Sequence, residues 1–355
     1  MRVLFLCEGT TVPASRFRVA QFVGHLEAAG IDCVVRYAYD SHYNRWRNTR
    51  LGPAYKLLWR MKRIPYSADA DEFDLVFVQR PAVPFSALPE RLTASINPRI
   101  VFDFDDSIHL DPQGDLSSAR KAALDETVDL AQWVIAGNRY LADVAGVPHK
   151  TTIIPTVIDT DVYVPATHRA TEGFVIGWMG TSSNFQFLER VVEPVERALD
   201  AIAGATVRIV SNEEFAPWAD HPRVEQIPWS SGNELAMLQS FDVGLMPLVD
   251  EPLTRGKCAF KMIQYMAVGC PVVVSAVGAN IEVFDGSDAG FCVDDFDAFT
   301  GAIVELARDP VLRARAGAKG RACAVAEYSI GAVLPVYLEI FDRVAAARIP
   351  ARAAE

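Results

Sequence analysis

Residues 242–282, DVGLMPLVDEPLTRGKCAFKMIQYMAVGCPVVVSAVGANIE, decide the fold of this chain. Their pattern predicts a strand over 243–246, a helix over 259–267 and a strand over 272–275, then a glycine-bearing turn into another helix. Two strands joined by a crossover helix form a βαβ unit, the building block of parallel, nucleotide-binding sheets. The segment therefore predicts an α/β protein that binds a ligand at the carboxyl edge of a parallel sheet.

The loop and helix of this unit carry a group of polar side chains. Lys261 and Gln264 are three residues apart, so they share one face of the helix. Arg255 and Lys257 precede that helix. A cation and an amide at the edge of a parallel sheet suit a diphosphate and a sugar hydroxyl. These four residues are therefore candidate ligand contacts.

The run that begins at Lys261, KMIQYMAVGCPVV, resembles the donor-binding signature K-x-x-E-Y-M-A-x-G-x-P-V-V. That signature belongs to family-4-type retaining glycosyltransferases (glycosyl transferases group 1), in which the glutamate pairs with the ribose hydroxyls of a nucleotide-sugar. Here Gln264 replaces the glutamate, and its amide can both accept and donate hydrogen bonds. The family's second acid, eight positions earlier, is replaced by Gly256.

The resemblance implies a GT-B fold, in which two Rossmann-like β/α/β domains face a central cleft. We expect residues 1–160, joined by a C-terminal helix over 331–346, to bind the acceptor. Residues 170–330 are expected to bind the nucleotide-sugar. The segment IPTVID at 154–159 resembles the family's hinge, I-P-N-G-V-D. No G-x-G-x-x-G or Walker loop occurs, which argues against dehydrogenases and kinases.

Apolar runs that alternate with helical patterns predict parallel sheets covered on both faces. We predict long single helices over 16–29, with Ser15 as N-cap, and over 185–202. The predicted strands are residues 3–7, 33–37, 75–78, 100–104, 133–136, 152–154, 174–179, 207–210, 224–227, 243–246, 272–275 and 290–293.

By resemblance, Lys261 is a catalytic as well as a donor-binding residue. With Arg255 or Lys257 it would neutralise the diphosphate and stabilise the leaving group as the glycosidic bond breaks. The turn after residue 275 would offer backbone N–H groups at a helix start, together with one acid for the sugar hydroxyls. The further donor contacts implied are Gly180, Thr181, Gly278, Ala279, Asn280, Ile281 and Glu282.

The stretch VFDFDDS at 101–107 carries a buried strand directly into acidic residues. The family often has a His-Asp pair here, and in that register Asp105 and Asp106 are the candidate catalytic residues. Asp105 could take a proton from an acceptor hydroxyl or steer an amine. The alternatives are a metal site on Asp103 and Asp105, and simple capping of a turn. The donor signature favours the reading without metal.

Two further groups are candidate acceptor or phosphate contacts. In PASRFR at 13–18, Arg16 and Arg18 lie where a helix start favours an anion, with Gly9 in the preceding loop. Solvated surface arginines are the alternative interpretation. Asp103 and His109 flank the acidic cluster.

Composition narrows the classes of protein. A net charge of −11 argues against nucleic-acid binding. Six scattered cysteines indicate reduced thiols in a cytoplasmic protein. No run reaches the roughly 20 apolar residues of a spanning helix. Residues 41–68 carry seven cations and no acid among aromatic side chains. They are a candidate for peripheral contact with the inner face of a membrane, for an acceptor site, or for a solvated insertion.

These observations and the resemblance imply a metal-independent retaining glycosyltransferase without a cofactor. Its donor is a nucleoside-diphosphate sugar, and its acceptor is a hydroxyl or amine of a glycan, a lipid-linked molecule or a small molecule. Two other classes stay open. One is a GT-B-fold epimerase of the UDP-N-acetylglucosamine type. The other is an inactive GT-B-like binding subunit, suggested by Gly256 and Gln264.

Overall fold

A computed structural model describes residues 1–10, 12–39, 52, 54, 58, 61, 63–167 and 173–347. Contacts divide the chain into two compact units. Unit 1 contains Met1–Thr156, Gly256–Cys258 and the chain from Val333 onward, and unit 2 contains Val157–Arg255 and Ala259–Ala332. Most of the basic segment predicted at 41–68 lies outside the described residues, as does the stretch 168–172.

Unit 1 is built on a six-stranded sheet with strand order β2-β1-β3-β4-β5-β6, in which all neighbours are parallel. Its strands are β1 Arg2–Gly9, β2 Asp32–Tyr39, β3 Leu75–Gln79, β4 Ile100–Phe104, β5 Trp133–Ala136 and β6 Thr151–Ile153. Its helices are α1 Pro13–Arg18, α2 Val23–Ala28, α3 Arg63–Tyr66, α4 Leu88–Ile96, α5 Ser118–Leu130 and α6 Arg139–Ala145. The last helix of the chain, Ile330–Ala345, joins this unit from Val333 onward.

Unit 2 has a second six-stranded parallel sheet, with strand order β12-β11-β10-β7-β8-β9. Its strands are β7 Val175–Met179, β8 Thr206–Ser211, β9 Val224–Pro228, β10 Val243–Met246, β11 Val272–Ser275 and β12 Gly290–Val293. Its helices are α7 Phe185–Leu188, α8 Val192–Ala201, α9 Glu234–Gln239, α10 Pro252–Arg255, α11 Phe260–Ala267, α12 Ala279–Asp285, α13 Ala298–Arg308 and α14 Pro310–Glu327, which makes the last helix α15.

Each sheet has a switch point, where the chain changes the side on which it adds strands. In unit 1 the chain goes from β1 to β2 on one side and then adds β3 on the other. In unit 2 the corresponding pair is β7 and β10. Ligands of open parallel sheets bind outside the carboxyl ends of the strands at such a point. The topology therefore directs attention to the residues after β1, β3, β7 and β10.

The central strands could be predicted from the sequence because they lie in the core of each unit and are therefore apolar. The central strands β3 and β7 are buried along their whole lengths, as expected for strands that are covered by helices on both faces. In unit 2, aromatic side chains such as Trp178 and Phe215 pack with the aliphatic core. Burying a side chain of this size stabilises the fold by about 1.5–3 kcal/mol.

Two predicted helices are wrong in their continuity. The helix expected over 16–29 begins earlier, at Pro13, and is interrupted after Arg18 by a 3₁₀ turn at Ala20–Phe22. Proline suits a first helical position because its φ is already helical and the N–H it lacks would have no partner there. Ser15, the predicted N-cap, therefore lies inside α1. Its hydroxyl accepts from Gly9 N at 3.3 Å and donates to Gln79 Oε1 at 3.1 Å.

The helix expected over 185–202 is also divided. A 3₁₀ turn at Glu189–Val191 separates α7 from α8. Pro194 has no N–H to donate to a preceding turn, and it is tolerated only in the first turn of a helix. The helix therefore restarts at Val192, two residues before the proline.

Candidate functional site

In unit 2, Lys261 lies at the switch point. The side chain is half-buried, and its Nζ is 6.0 Å from the centroid of a Trp178 ring. Gly180 directly follows β7, and a Cβ there would stand 2.6 Å from Lys261 Cε and 2.7 Å from the indole of Trp178. The lysine stem therefore passes so close to Gly180 that a side chain there would displace it.

The helix that carries Lys261 is anchored by an uncharged contact. Tyr265 Oη accepts from Met179 N at 3.0 Å and donates to Leu245 O at 3.4 Å, which ties α11 to both strands of the switch point. Gly244 leaves room for the ring, since a Cβ there would come within 2.4 Å of it. Burial raises the pKa of Tyr265, so the phenol stays protonated. Gln264, predicted to meet a ribose, is 6% exposed on the same helix.

The glycine turn after β11 is formed as predicted from the sequence, but it offers fewer N–H groups than expected. Gly278 has φ 52°, and a Cβ there would stand 3.0 Å from Arg255 Cα. Asn280 N donates to Val277 O, and Ile281 N donates to Gly278 O. Two of the four predicted backbone donors are therefore bonded within the turn, because the first turn of α12 uses them.

The remaining predicted donor contacts differ in environment. The exposed Arg255 forms two hydrogen bonds to Asp250, at 2.7 and 2.9 Å, and these bonds lower the pKa of that carboxyl. Thr181 and Glu282 are exposed. Ala279 is buried at the start of α12, and Ile281 is 40% exposed.

Lys257 lies in the short segment Gly256–Cys258, which belongs to unit 1. Lys257 O accepts from Asn138 Nδ2 at 3.0 Å. Cys258 Sγ donates to Asp105 O at 3.3 Å and fills the space over Gly137, where a Cβ would stand 2.3 Å from the sulfur. Burial raises the pKa of this thiol, which stays protonated.

Gly256 replaces the second acid of the family signature that the sequence resembles. The structure shows why a side chain is unfavourable at this position. A Cβ at this position would lie 2.0 Å from Ser107 Oγ and 2.9 Å from Ser107 N. Because a backbone atom is among these neighbours, a rotamer change alone could not make room for a side chain.

In unit 1, the carboxyl ends of β1, β3 and β4 bring one arginine and three acids together. Arg80 Nε and Nη2 both lie 2.7 Å from Asp105 Oδ1. The same guanidinium is 3.6 Å from Asp106 and 3.7 Å from Glu8. Asp106 is 40% exposed and Asp105 only 10%. Asp106 Oδ1 also accepts from Ser107 N at 3.0 Å, so this residue does cap its own turn.

Glu8 and Arg80 are functional candidates that the sequence analysis missed. Glu8 lies near the end of β1, and Arg80 directly follows β3. Each is a polar residue at the end of a buried strand, which is the same signal that identified Asp105. Burial opposes the charge of Arg80, but the neighbouring carboxylates, Asp105 foremost, raise its pKa above the usual value.

Arg18 and Asp103, predicted to contact acceptor or phosphate, form a fully buried ion pair instead. Arg18 Nε donates to Asp103 at 2.8 and 3.0 Å, and Nη1 donates to Ile154 O at 3.1 Å and to Thr156 Oγ1 at 3.2 Å. The side chains are 1% and 0% exposed. Burial raises the pKa of Asp103, which Arg18 opposes. We describe the pair as ionised because a neutral acid would leave the buried guanidinium without compensation.

The other predicted acceptor contacts have different local surroundings. The half-buried Arg16 stacks on the ring of Phe17, with Cζ 4.8 Å from its centroid. Gly9 ends β1 and donates to Ser15, as described above. His109 is buried beside Tyr140, with ring centroids 6.2 Å apart, and burial lowers its pKa.

The described part of the chain contains neither a metal-binding cluster nor a membrane-spanning helix. In residues 1–10, 12–39, 63–167 and 173–347, no group of three or more His, Cys, Asp or Glu side chains is arranged to hold a metal ion. Across the same residues, no helix is both long enough and apolar enough to cross a bilayer.

The two parallel sheets with their flanking helices are the GT-B fold, and solved structures confirm this. HepE of Anabaena in complex with UDP-glucose has a TM-score of 0.71 at 17% identity, over 98% of this chain and 100% of that chain. Sucrose-phosphate synthase from Thermosynechococcus elongatus has a TM-score of 0.69 at 15% identity, over 98% of this chain and 100% of that chain. A glycosyltransferase from Rickettsia africae has a TM-score of 0.72 at 12% identity, over 98% of this chain and 99% of that chain. At these identities the similarity establishes the fold.

The family comparison adds the class of protein. Residues 173–309, which lie in unit 2 apart from the short segment Gly256–Cys258, match the family described as Glycosyl transferases group 1. No curated protein matches the sequence. The match supports the predicted class, a glycosyltransferase, through the similarity of unit 2 to group 1. It supports nucleotide-sugar-dependent glycosyl transfer as the activity.

Proposed function

We propose that this protein is a retaining glycosyltransferase that moves a sugar from a nucleoside-diphosphate sugar to an acceptor hydroxyl or amine without a metal ion. The observation that carries the proposal is Lys261, held across Gly180 at the switch point of a group 1 domain. Retention of anomeric configuration rests on the resemblance of the run KMIQYMAVGCPVV to the family signature. HepE, which binds UDP-glucose in its structure, makes uridine nucleotides the first donors to test.

Lys261 supplies positive charge where the leaving diphosphate becomes more negative. Preorganised charge of this kind is usually the largest single contribution to catalysis. Tyr265 fixes the helix that carries Lys261 to two strands, so the ammonium group requires little reorganisation when the bond breaks. Arg255 is shared with Asp250 and is a weaker contributor, because its charge is already partly compensated.

The acidic edge of unit 1 favours a particular kind of acceptor. Glu8, Asp105 and Asp106 all lie close to Arg80, so this group of four side chains carries more negative than positive charge. Such an edge repels phosphate and carboxylate groups and suits a neutral hydroxyl or an ammonium. We propose that Asp105 orients the acceptor and takes part of its proton charge. A cytoplasmic location and membrane contact through residues 41–68 belong to the same proposal.

A panel of UDP, GDP, dTDP and ADP sugars tests this function. We expect one donor to release free nucleotide and sugar slowly, with water as acceptor, and NMR of the initial product to show the donor's anomeric configuration. EDTA should leave most of the rate. An isomeric nucleotide-sugar would indicate the epimerase, and binding without turnover would indicate an inactive subunit. Complete loss in EDTA that Mn²⁺ restores would contradict metal independence.

A further inference from the structure

We propose that Arg80 is a positioning residue, which holds Asp105 by one carboxylate oxygen and thereby directs the other oxygen toward the acceptor. The inference rests on the proposed glycosyl transfer and adds to it a residue that the donor signature does not include. It depends on three observations: an asymmetric hydrogen-bonding pattern, an unfavourable backbone conformation and the charge balance of the edge.

The first observation is the pattern of contacts on Asp105. Both short contacts from Arg80, each 2.7 Å, reach Oδ1. Among the described residues, Oδ2 accepts no hydrogen bond. An arginine that only neutralised a carboxylate would favour the bidentate geometry, with one N–H on each oxygen. The observed geometry fixes the carboxylate plane and leaves one acceptor oxygen for a ligand.

The second observation is the backbone at Arg80. Its φ is 57°, a left-handed value that is unfavourable for every residue except glycine. Pro81 follows directly and restricts the preceding residue further. The strained residue donates its N–H to Asp103 O at 2.8 Å, which sets the start of the side chain beside the loop after β4. Strained conformations of this kind concentrate at functional sites.

The third observation is charge. The Arg80 guanidinium lies within 3.7 Å of carboxylate oxygens of Glu8, Asp105 and Asp106. The guanidinium offers a rigid planar fork, which a lysine ammonium cannot reproduce even though it keeps the charge. Replacing Arg80 by lysine therefore separates the orientation of Asp105 from the neutralisation of the acids.

The unit also contains a matched control. Arg36 pairs with Asp69 through hydrogen bonds of 2.5 and 2.7 Å, and its side chain is 24% exposed, against 21% for Arg80. Arg36 bonds both oxygens of its partner, follows no switch-point strand and has ordinary β-strand geometry within β2. Arg36→Lys therefore reports what the same chemical change does to a purely structural pair.

The experiment measures donor hydrolysis for the wild type, Arg80→Lys, Asp105→Asn, the double variant and Arg36→Lys, together with thermal unfolding. We expect Arg80→Lys to lower kcat by about 10–100-fold with the donor KM unchanged, since a small misplacement of a reacting group has effects of this size. Asp105→Asn should lower kcat about 100-fold. The double variant should resemble Asp105→Asn, because the two residues act as one unit.

The outcomes separate the inference from the proposed function. A wild type that turns over no donor overturns both. An active wild type with an unaffected Arg80→Lys, or with effects that multiply in the double variant, overturns the inference alone. Equal losses in Arg80→Lys and Arg36→Lys would indicate a structural role. If Arg80→Lys does not fold, Arg80→Gly replaces it, because glycine adopts φ 57° freely. Its lost rate should return in part with added guanidinium.

Discussion

The two switch points share one topology and differ in chemistry. In unit 1, the strand ends carry Glu8, Arg80 and Asp105 in a connected set of ion pairs. In unit 2, the corresponding ends carry Gly180 and a single lysine from α11. The same topology thus occurs twice, and the side chains make one edge acidic and the other basic. Topology determines where a site lies, and only the side chains determine what it binds.

The layers beneath the two edges differ in the same way. Under the edge of unit 1 lies the buried Arg18–Asp103 pair. Under the edge of unit 2, Tyr265 is held by two backbone hydrogen bonds and fits over Gly244. The layer under the edge of unit 1 therefore contains an ion pair, whereas the layer under the edge of unit 2 relies on uncharged hydrogen bonds and close packing. Substitutions in either unit test this contrast.

The largest effect should come from Arg18→Met. It leaves a buried Asp103 without a partner, and breaking a buried ion pair in this way lowers the free energy of unfolding by about 3–5 kcal/mol. Urea unfolding measures this change in the free energy of unfolding. Arg91→Met is the control, because Arg91 pairs with Glu126 at the surface with 59% exposure and should lose about 0–1 kcal/mol. Similar losses for the two variants would show that the buried pair contributes no more to stability than a surface pair.

A smaller effect is expected from Lys261→Ala in unit 2. Removing one group that stabilises developing charge lowers kcat by about 10²–10³-fold, and the donor KM should rise, while the melting temperature should stay close to that of the wild type. Lys319→Ala is the matched control. Lys319 is a half-exposed lysine of the same unit, paired with Asp288 at 2.6 Å. A Lys261→Ala enzyme with normal turnover would place the basic edge outside the chemistry.

The smallest effect should be that of Gly180→Ala. The added methyl group meets the flexible Lys261 stem and the indole of Trp178, so the lysine must shift. We expect about a tenfold loss of kcat/KM, since displacement of a positioned group weakens catalysis without unfolding the protein. Gly301→Ala is the control because nothing lies within 4 Å of a Cβ there. If both variants are as active as the wild type, the close packing around Lys261 is not needed for function.

The strands could be predicted from the sequence because their burial leaves continuous apolar runs. Ile100–Phe104 and Val243–Met246 have the predicted bounds. Periodicity could not predict the broken helices, since the apolar pattern continues through the 3₁₀ turn at Ala20–Phe22 and does not register the N–H that Pro194 lacks.

The site residues divide in the same way. Lys261 is recognisable because its signature is local in sequence. The contact of Arg80 with Asp105 depends on β3 and β4 being neighbours, and the fit of Gly256 against Ser107 joins distant segments. Neither can be derived from spacing within one motif. The predicted Arg18 contact was misassigned because a helix start favours an anion in general, while the deciding partner, Asp103, lies 85 residues away.

The Arg18–Asp103 pair also restricts how this protein can change over evolutionary time. Both side chains are buried. Arg18 also donates a hydrogen bond to the carbonyl of Ile154, two residues before this part of unit 1 ends at Thr156. Replacing either partner alone leaves an unpaired charge in the interior. Replacing both with apolar groups of similar volume changes the free energy of unfolding little. Two compatible solutions are thus separated by an intermediate that folds poorly. Descendants of this sequence should keep both residues or have lost both together.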